Sequence, residues 1–228
     1  MSAIENLGGT VTYEYQEKNW SEPSGPTWLR QLLGPHFFDK AVHVSFSDAG
    51  KSNDRVDDAS CLLGLDHLEI LHLDRTGVRD ISALKEMKHL KFLSLDHTHV
   101  VDLSPLQNLP NLDALSLART SVSDLTPLKE LHLRRLWLDG TLVDDISALA
   151  PDHLIFLSLY KTKVSDISRL SSATELETLN LNWTGVADVS PLIGLRSLAS
   201  LDLGRTSVTD ASVVALKRSL PDCQIVRP

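Results

Sequence analysis

One frame of residues recurs seven times along this chain, and no other feature constrains its fold as strongly. A representative copy reads Leu90-Lys-Phe-Leu93-Ser-Leu95-Asp-His-Thr98-His-Val100-Val-Asp102-Leu103-Ser-Pro-Leu106. The same frame starts at Leu68, Leu112, Leu133, Leu154, Leu176 and Leu198, at intervals of 21 or 22 residues. A unit this short cannot bury an apolar face alone, but stacked copies can share one continuous core. Leu93 and Leu95 are two apart, the strand spacing that puts both side chains on one face. Val78, Val100, Val122, Val143, Val164, Val186 and Val208 supply the core after the following turn.

Two polar columns run through the frame. Thr76, Thr98, Thr120, Thr141, Thr162, Thr184 and Thr206 stand where the chain leaves the strand. Their hydroxyls are expected to satisfy backbone groups there. Asp80, Asp102, Asp124, Asp145, Asp166, Asp188 and Asp210 each precede a short apolar turn. Aspartate suits the N-cap, and Pro105, Pro127 and Pro191 suit a first helical turn. Seven aspartates in one repeated place are expected to cap short 3₁₀ turns, not to catalyse a reaction.

An eighth, degenerate unit opens the array, with Ala41-Val-His-Val44-Ser-Phe46 in the strand frame, an insertion at residues 50–55, and Val56 and Asp58 in register after it. The terminal units of a stack expose core and need caps. Val213, Val214, Leu216 and Leu220 predict a true helix over 210–220. Ile225 and Val226 could add a last strand. At the other end, Val11, Tyr13 and Tyr15 alternate like a strand. Residues 21–26 read as a loop and Trp28–Leu33 as a short amphipathic helix. The expected organisation is an N-terminal cap region over 1–40 and a repeat domain over 41–228.

This frame resembles the internalin-like class of leucine-rich repeats, with Thr in place of the usual Asn. The expected fold is therefore an α/β leucine-rich-repeat solenoid of about eight repeats. A curved parallel sheet of about eight strands would line its concave face, and short 3₁₀ or helical turns its convex face. The N-terminal stretches Ala3–Gly9, Trp28–Gly34 and Phe37-Phe38 resemble a group of bacterial leucine-rich-repeat proteins. That resemblance implies the soluble part of a membrane-anchored protein, a binding module rather than an enzyme. It implies no cofactor and no catalytic residues.

Composition narrows the partners. The formal net charge is −8, against nucleic acid or an anionic membrane as the main partner. No run of about 20 apolar residues is present, so no membrane insertion by this chain is expected. Residues 1–9 lack the pattern of a signal peptide. Compartment is not legible. Cys61 and Cys223 are too few for a disulfide framework and fall far apart along the stack, with Cys61 expected to be buried.

The binding surface should lie between the core leucines, where strand residues point to the concave face. Large aromatics gather in the second half: Trp137, Phe156, Tyr160 and Trp183. Together with Phe92, Asn180 and Asn182, and rimmed by Arg119, Arg135 and Lys161, they form the candidate site for a protein or peptide partner. Tryptophan, tyrosine and arginine dominate interface hot spots. The bland alternative is that these rings only cover one another. Two other functions stay open. The rings beside the asparagines could stack on a glycan, or the chain could be a scaffold within a larger anchored protein. A monomer is expected. In the first half, His72, Asp74, Asp96, His97 and His99 could in principle hold zinc, but they share no fixed ligand spacing.

Overall fold

The computed structural model describes residues 3–13, 16, 41–46, 53 and 56–227. Its strands are β1 (Thr10–Tyr13), β2 (Ala41–Ser45), β3 (Ile70–His72), β4 (Phe92–Ser94), β5 (Ala114–Ser116), β6 (Arg135–Trp137), β7 (Phe156–Ser158), β8 (Thr178–Asn180), β9 (Ser200–Asp202) and β10 (Gln224–Val226). They form one sheet of ten strands in chain order, wider than the eight expected. β1 pairs antiparallel with β2, and every later neighbour pairs in parallel. The two additional strands are the caps, one at each end. They cover edges that a bare stack would leave open.

The register follows the repeat. Leu71, Leu93, Leu115, Leu136, Leu157, Leu179 and Leu201 face one another from strand to strand. All are buried, as are the second strand leucines from Leu73 to Leu203 and the whole valine column. Opposite the sheet, 3₁₀ turns such as Ser104–Leu106, Thr126–Leu128 and Ser190–Leu192 close the convex side, each with proline in its first turn.

The threonine column does what its position suggested. Each hydroxyl donates to the carbonyl three residues back, as in Thr98 to Leu95 at 2.7 Å and Thr120 to Leu117 at 2.8 Å. A β-turn carbonyl that would otherwise be buried with one weak bond is thereby satisfied. The aspartates differ in detail from the expectation. Asp80, Asp102, Asp124, Asp166 and Asp188 lie one residue before the N-cap, and the N-cap residues themselves make no side-chain cap. Each accepts the amide two residues on, as in Ser104 to Asp102 at 2.8 Å. This is an Asx turn, which leads the chain into the 3₁₀ turn. The opening unit does the same through Asp58. Asp210 departs from the column: it is the first residue of helix α2 (Asp210–Ser219), pairs with Arg227, and leaves the capping to Thr209.

At the N-terminus, α1 (Ala3–Asn6) places Ile4 in the same core as the leucines, beside Phe46 and Gly9. A Cβ on Gly9 would come within 2.7 Å of both side chains, so only glycine allows this approach. Tyr15, the loop over 21–26, the helix read over Trp28–Leu33 and most of the insertion over 50–55 lie outside the described residues. Both cysteines are free. Cys61 is only half-buried, contrary to expectation: it packs against the edge of the core in the first 3₁₀ turn, where Leu62 takes the buried place, while Cys223 is buried in the C-terminal cap. Burial pushes both thiols up, away from reactive thiolate, with Asp58 adding to the effect at Cys61. Among the described residues no helix is long and apolar enough to cross a membrane.

Candidate functional site

Four rows of side chains cross the concave face. The first contains Ile70, Phe92, Ala114, Arg135, Phe156, Thr178 and Ser200, neighbours in register. The second contains His72, Ser94, Ser116, Trp137, Ser158, Asn180 and Asp202. The third, two residues further on, reads Asp74, Asp96, Ala118, Asp139, Tyr160, Asn182 and Gly204.

At three places along the sheet the second and third rows satisfy one another. Ser94 donates to Asp74, Ser116 to Asp96 at 2.5 Å, and Ser158 to Asp139 at 2.5 Å. Each bond joins one strand to the next. Burial pushes the Asp96 carboxyl above its ordinary value, with the charge of Asp74 adding, despite the bonds from Ser116 and the Ala118 amide. Burial likewise raises Asp139 against the bond from Ser158. At Asp74 burial acts in the same direction but loses to hydrogen bonds from His72 and Ser94 and to the His72 charge, so its carboxyl sits low. These aspartates are committed to the sheet. Among the described residues no three histidine, cysteine or acidic side chains are grouped to hold a metal ion.

The fourth row was not legible as a structural feature. Arg75, His97, Arg119, Lys161, Trp183 and Arg205 all have φ between 55° and 60°, and Gly140 completes the row at 66°. Each turns the chain out of its strand in the left-handed region, and from Arg75 to Trp183 its amide still bonds a carbonyl of the next coil. Trp183 donates to the Gly204 carbonyl at 2.8 Å, and Arg119 to Asp139 at 2.7 Å. The left-handed conformation costs an L-residue about 1–2 kcal/mol. Six of the seven repeats nevertheless place a large side chain there, projecting at the rim of the concave face. Only Asp139-Gly140 hinted at it, since glycine before the threonine is the residue such a backbone favours.

The predicted site residues fall into three groups. Trp137 and Phe156 stack with centroids 4.9 Å apart on β6 and β7. Tyr160, Lys161 and Trp183 form a second group. The Lys161 ammonium lies 5.5 Å from the Tyr160 ring and 5.6 Å from the Trp183 ring. Arg205, outside the site residues named from the sequence, joins this group with its guanidinium 5.3 Å from Trp183. Trp183 is 49% exposed, so it keeps much of its surface free despite two cations against it. Phe92 stands apart, stacked on His72 at 4.9 Å, and is separated from Arg135 by Ala114. Arg135 is drawn to Asp113 at 3.0 Å. Arg119 lies over Gly140, where a Cβ would meet its Cγ at 3.5 Å.

Asn180 and Asn182 point along the sheet. Asn180 accepts the Asn182 amide at 2.9 Å, and Asn182 donates to Asp202 at 3.2 Å. The Asn182 side chain packs flat on Gly204, where a Cβ would sit 3.0 Å away, and its buried Oδ1 has no hydrogen-bond partner.

These features define a leucine-rich-repeat solenoid with a two-part aromatic surface on its second half. Solved bacterial proteins share the architecture. An internalin of Listeria monocytogenes, inlF, matches at 28% identity and a TM-score of 0.69 over 75% of this chain. Internalin C2 of the same species matches at 21% identity and 0.55 over 82% of this chain, covering 81% of its own length. A leucine-rich-repeat protein of Leptospira interrogans matches at 23% identity and 0.64, over 71% of this chain and 43% of its own. The chain is thus an internalin-like leucine-rich-repeat protein of bacterial type, and it spans 50% of the length of inlF. No protein-family profile and no curated protein sequence matches it.

Proposed function

We propose that this chain is a non-enzymatic protein-interaction module, acting as a monomer, whose partner docks on the second half of the concave face. The observation that carries this reading is Trp183, half-exposed on left-handed backbone between Lys161 and Arg205. A large ring kept at a backbone position that favours glycine is an observed strain of the kind that collects at functional sites. Solenoids commonly use such concave surfaces for binding. Trp137, Phe156 and Tyr160 extend the apolar area, with Arg119 and Arg135 at its border. Asp74, Asp96 and Asp139 accept from neighbouring serines, and Asp202 from Asn182 and the Gly204 amide, so the acidic groups of this face are tied to the sheet, which favours binding over catalysis. Asn180 Oδ1 and Asn182 Nδ2 are bonded along the sheet and Asn182 Oδ1 is buried, so these side chains offer few polar atoms to a sugar, which favours a protein over a glycan.

Affinity capture from the source organism with wild-type chain and a Trp137→Ala/Tyr160→Ala variant tests this. The expected result is a partner retained by wild type and lost by the variant, with unchanged circular dichroism. Equal retention by both would sink the reading.

A further inference from the structure

We propose that the partner presents an acidic segment in the polyproline II conformation, held along the left-handed row by Arg119, Lys161 and Arg205. This inference rests on the concave-face reading above and adds the chemistry of the partner.

Charge is the first argument. The chain carries 30 acidic and 22 basic residues, so an exposed cation has many carboxylates available to it. Among the described residues Lys91, Lys129, Arg135 and Arg227 do find one, while most other cations stay in solvent. Among the described residues Arg119, Lys161 and Arg205 are in no ion pair, and what sets them apart is that all three are exposed along one rim of one face. Lys161 and Arg205 instead rest against the Trp183 ring. That contact leaves their charge uncompensated and able to meet an incoming carboxylate.

Spacing is the second argument. The three cations belong to β5, β7 and β9 coils, with Gly140 and Trp183 between them. Adjacent strands lie about 4.8 Å apart, so the backbone positions of the three cations recur roughly every 10 Å. A polyproline II segment has three residues per turn and rises about 3.1 Å per residue, which brings one face round about every 9 Å. A β-strand repeats its face about every 6.6 Å and falls out of step. Acidic residues at every third position would therefore meet Arg119, Lys161 and Arg205 in turn. The residues between would lie over Gly140, where the Arg119 stem already packs, and over Trp183. Flat aromatic surfaces are the usual dock for polyproline II segments.

The test titrates the whole chain against a labelled repeating Glu-Pro-Pro peptide of about twelve residues, read by fluorescence polarisation. Saturable binding is expected, weakening with added salt. Lys161→Glu or Arg205→Glu should each weaken it by about tenfold or more. Repeating Lys-Pro-Pro and alternating Glu-Pro peptides should bind more weakly by a similar factor. Both substituted side chains are exposed, and a thermal melt confirms that each variant folds; Arg205→Gln supplies a milder change at the same place. No binding of the Glu-Pro-Pro peptide, equal binding of the alternating peptide, or indifference to both charge reversals overturns the proposal. So does binding of an oligothymidylate or a heparin fragment where the peptide fails. If the peptide fails but capture still depends on Trp137 and Tyr160, only the acidic segment is lost. If capture is indifferent to those residues too, the concave-face reading falls with it.

Discussion

At the scale of single residues, the fourth row sets backbone comfort against surface chemistry. Arg119 is held at φ 57° and Gly140 at 66°, in equivalent positions of adjacent repeats. Exchanging their preferences separates the two effects. Arg119→Gly should leave stability unchanged or raise it by up to about 1 kcal/mol, since relief of left-handed strain exceeds the entropy cost of glycine. Gly140→Ala should lower stability by about 1 kcal/mol for the converse reason. Urea denaturation of both variants measures this. A loss of more than about 1 kcal/mol on Arg119→Gly would mean that the arginine side chain, not the ligand, explains its presence.

At the scale of elements, the stack depends on its ends. Helix α2 buries Leu216 completely against the last coil and starts with Thr209, whose hydroxyl accepts the Ser212 amide at 3.2 Å. β10 then pairs with β9 and covers its edge. Leu216→Ala should cost about 2–5 kcal/mol, as large-to-small changes in a core do. In a solenoid each coil touches only its neighbours, so the damage should stay local. Hydrogen exchange should show lost protection in β9 and β10, with β3 to β5 unaffected. Uniform loss along the stack would contradict this nearest-neighbour picture.

Most of these elements were legible because core positions repeat in register. Leu93, Leu95 and Val100 each recur in every coil, and an error in one copy is corrected by the others. The capping helix and last strand were legible too, since Val213, Leu216 and Ile225 break the frame in a recognisable way. Other details escaped for physical reasons. A left-handed φ leaves no mark on the identity of Arg119, Lys161 or Trp183. The rows predict which Cα atoms are neighbours but not where a long side chain goes. That is why Arg135 turned out to pair with Asp113 and Phe92 to stack on His72, outside the main patch. Arg205 was underweighted for the same reason: only its placement against Trp183 brings it into the site.

At the scale of the whole molecule, the sheet gives one continuous face and the ligand-facing chemistry is unevenly spread over it. Serine–aspartate bonds between strands knit the first half, and one more joins β6 to β7. The second half exposes rings and unpaired cations. The convex side also exposes single apolar residues, among them Leu142 at 47% and Ile193 at 43%, but they are scattered, as is normal for a protein surface. These residues are an internal control. Hydroxyl-radical footprinting of the chain alone and in complex with its captured partner compares the two sides in one measurement. Trp183, Tyr160 and Phe156 are expected to become protected while Leu142 and Ile193 stay equally reactive. Protection of Leu142 and Ile193 with Trp183 unchanged would contradict the concave-face reading.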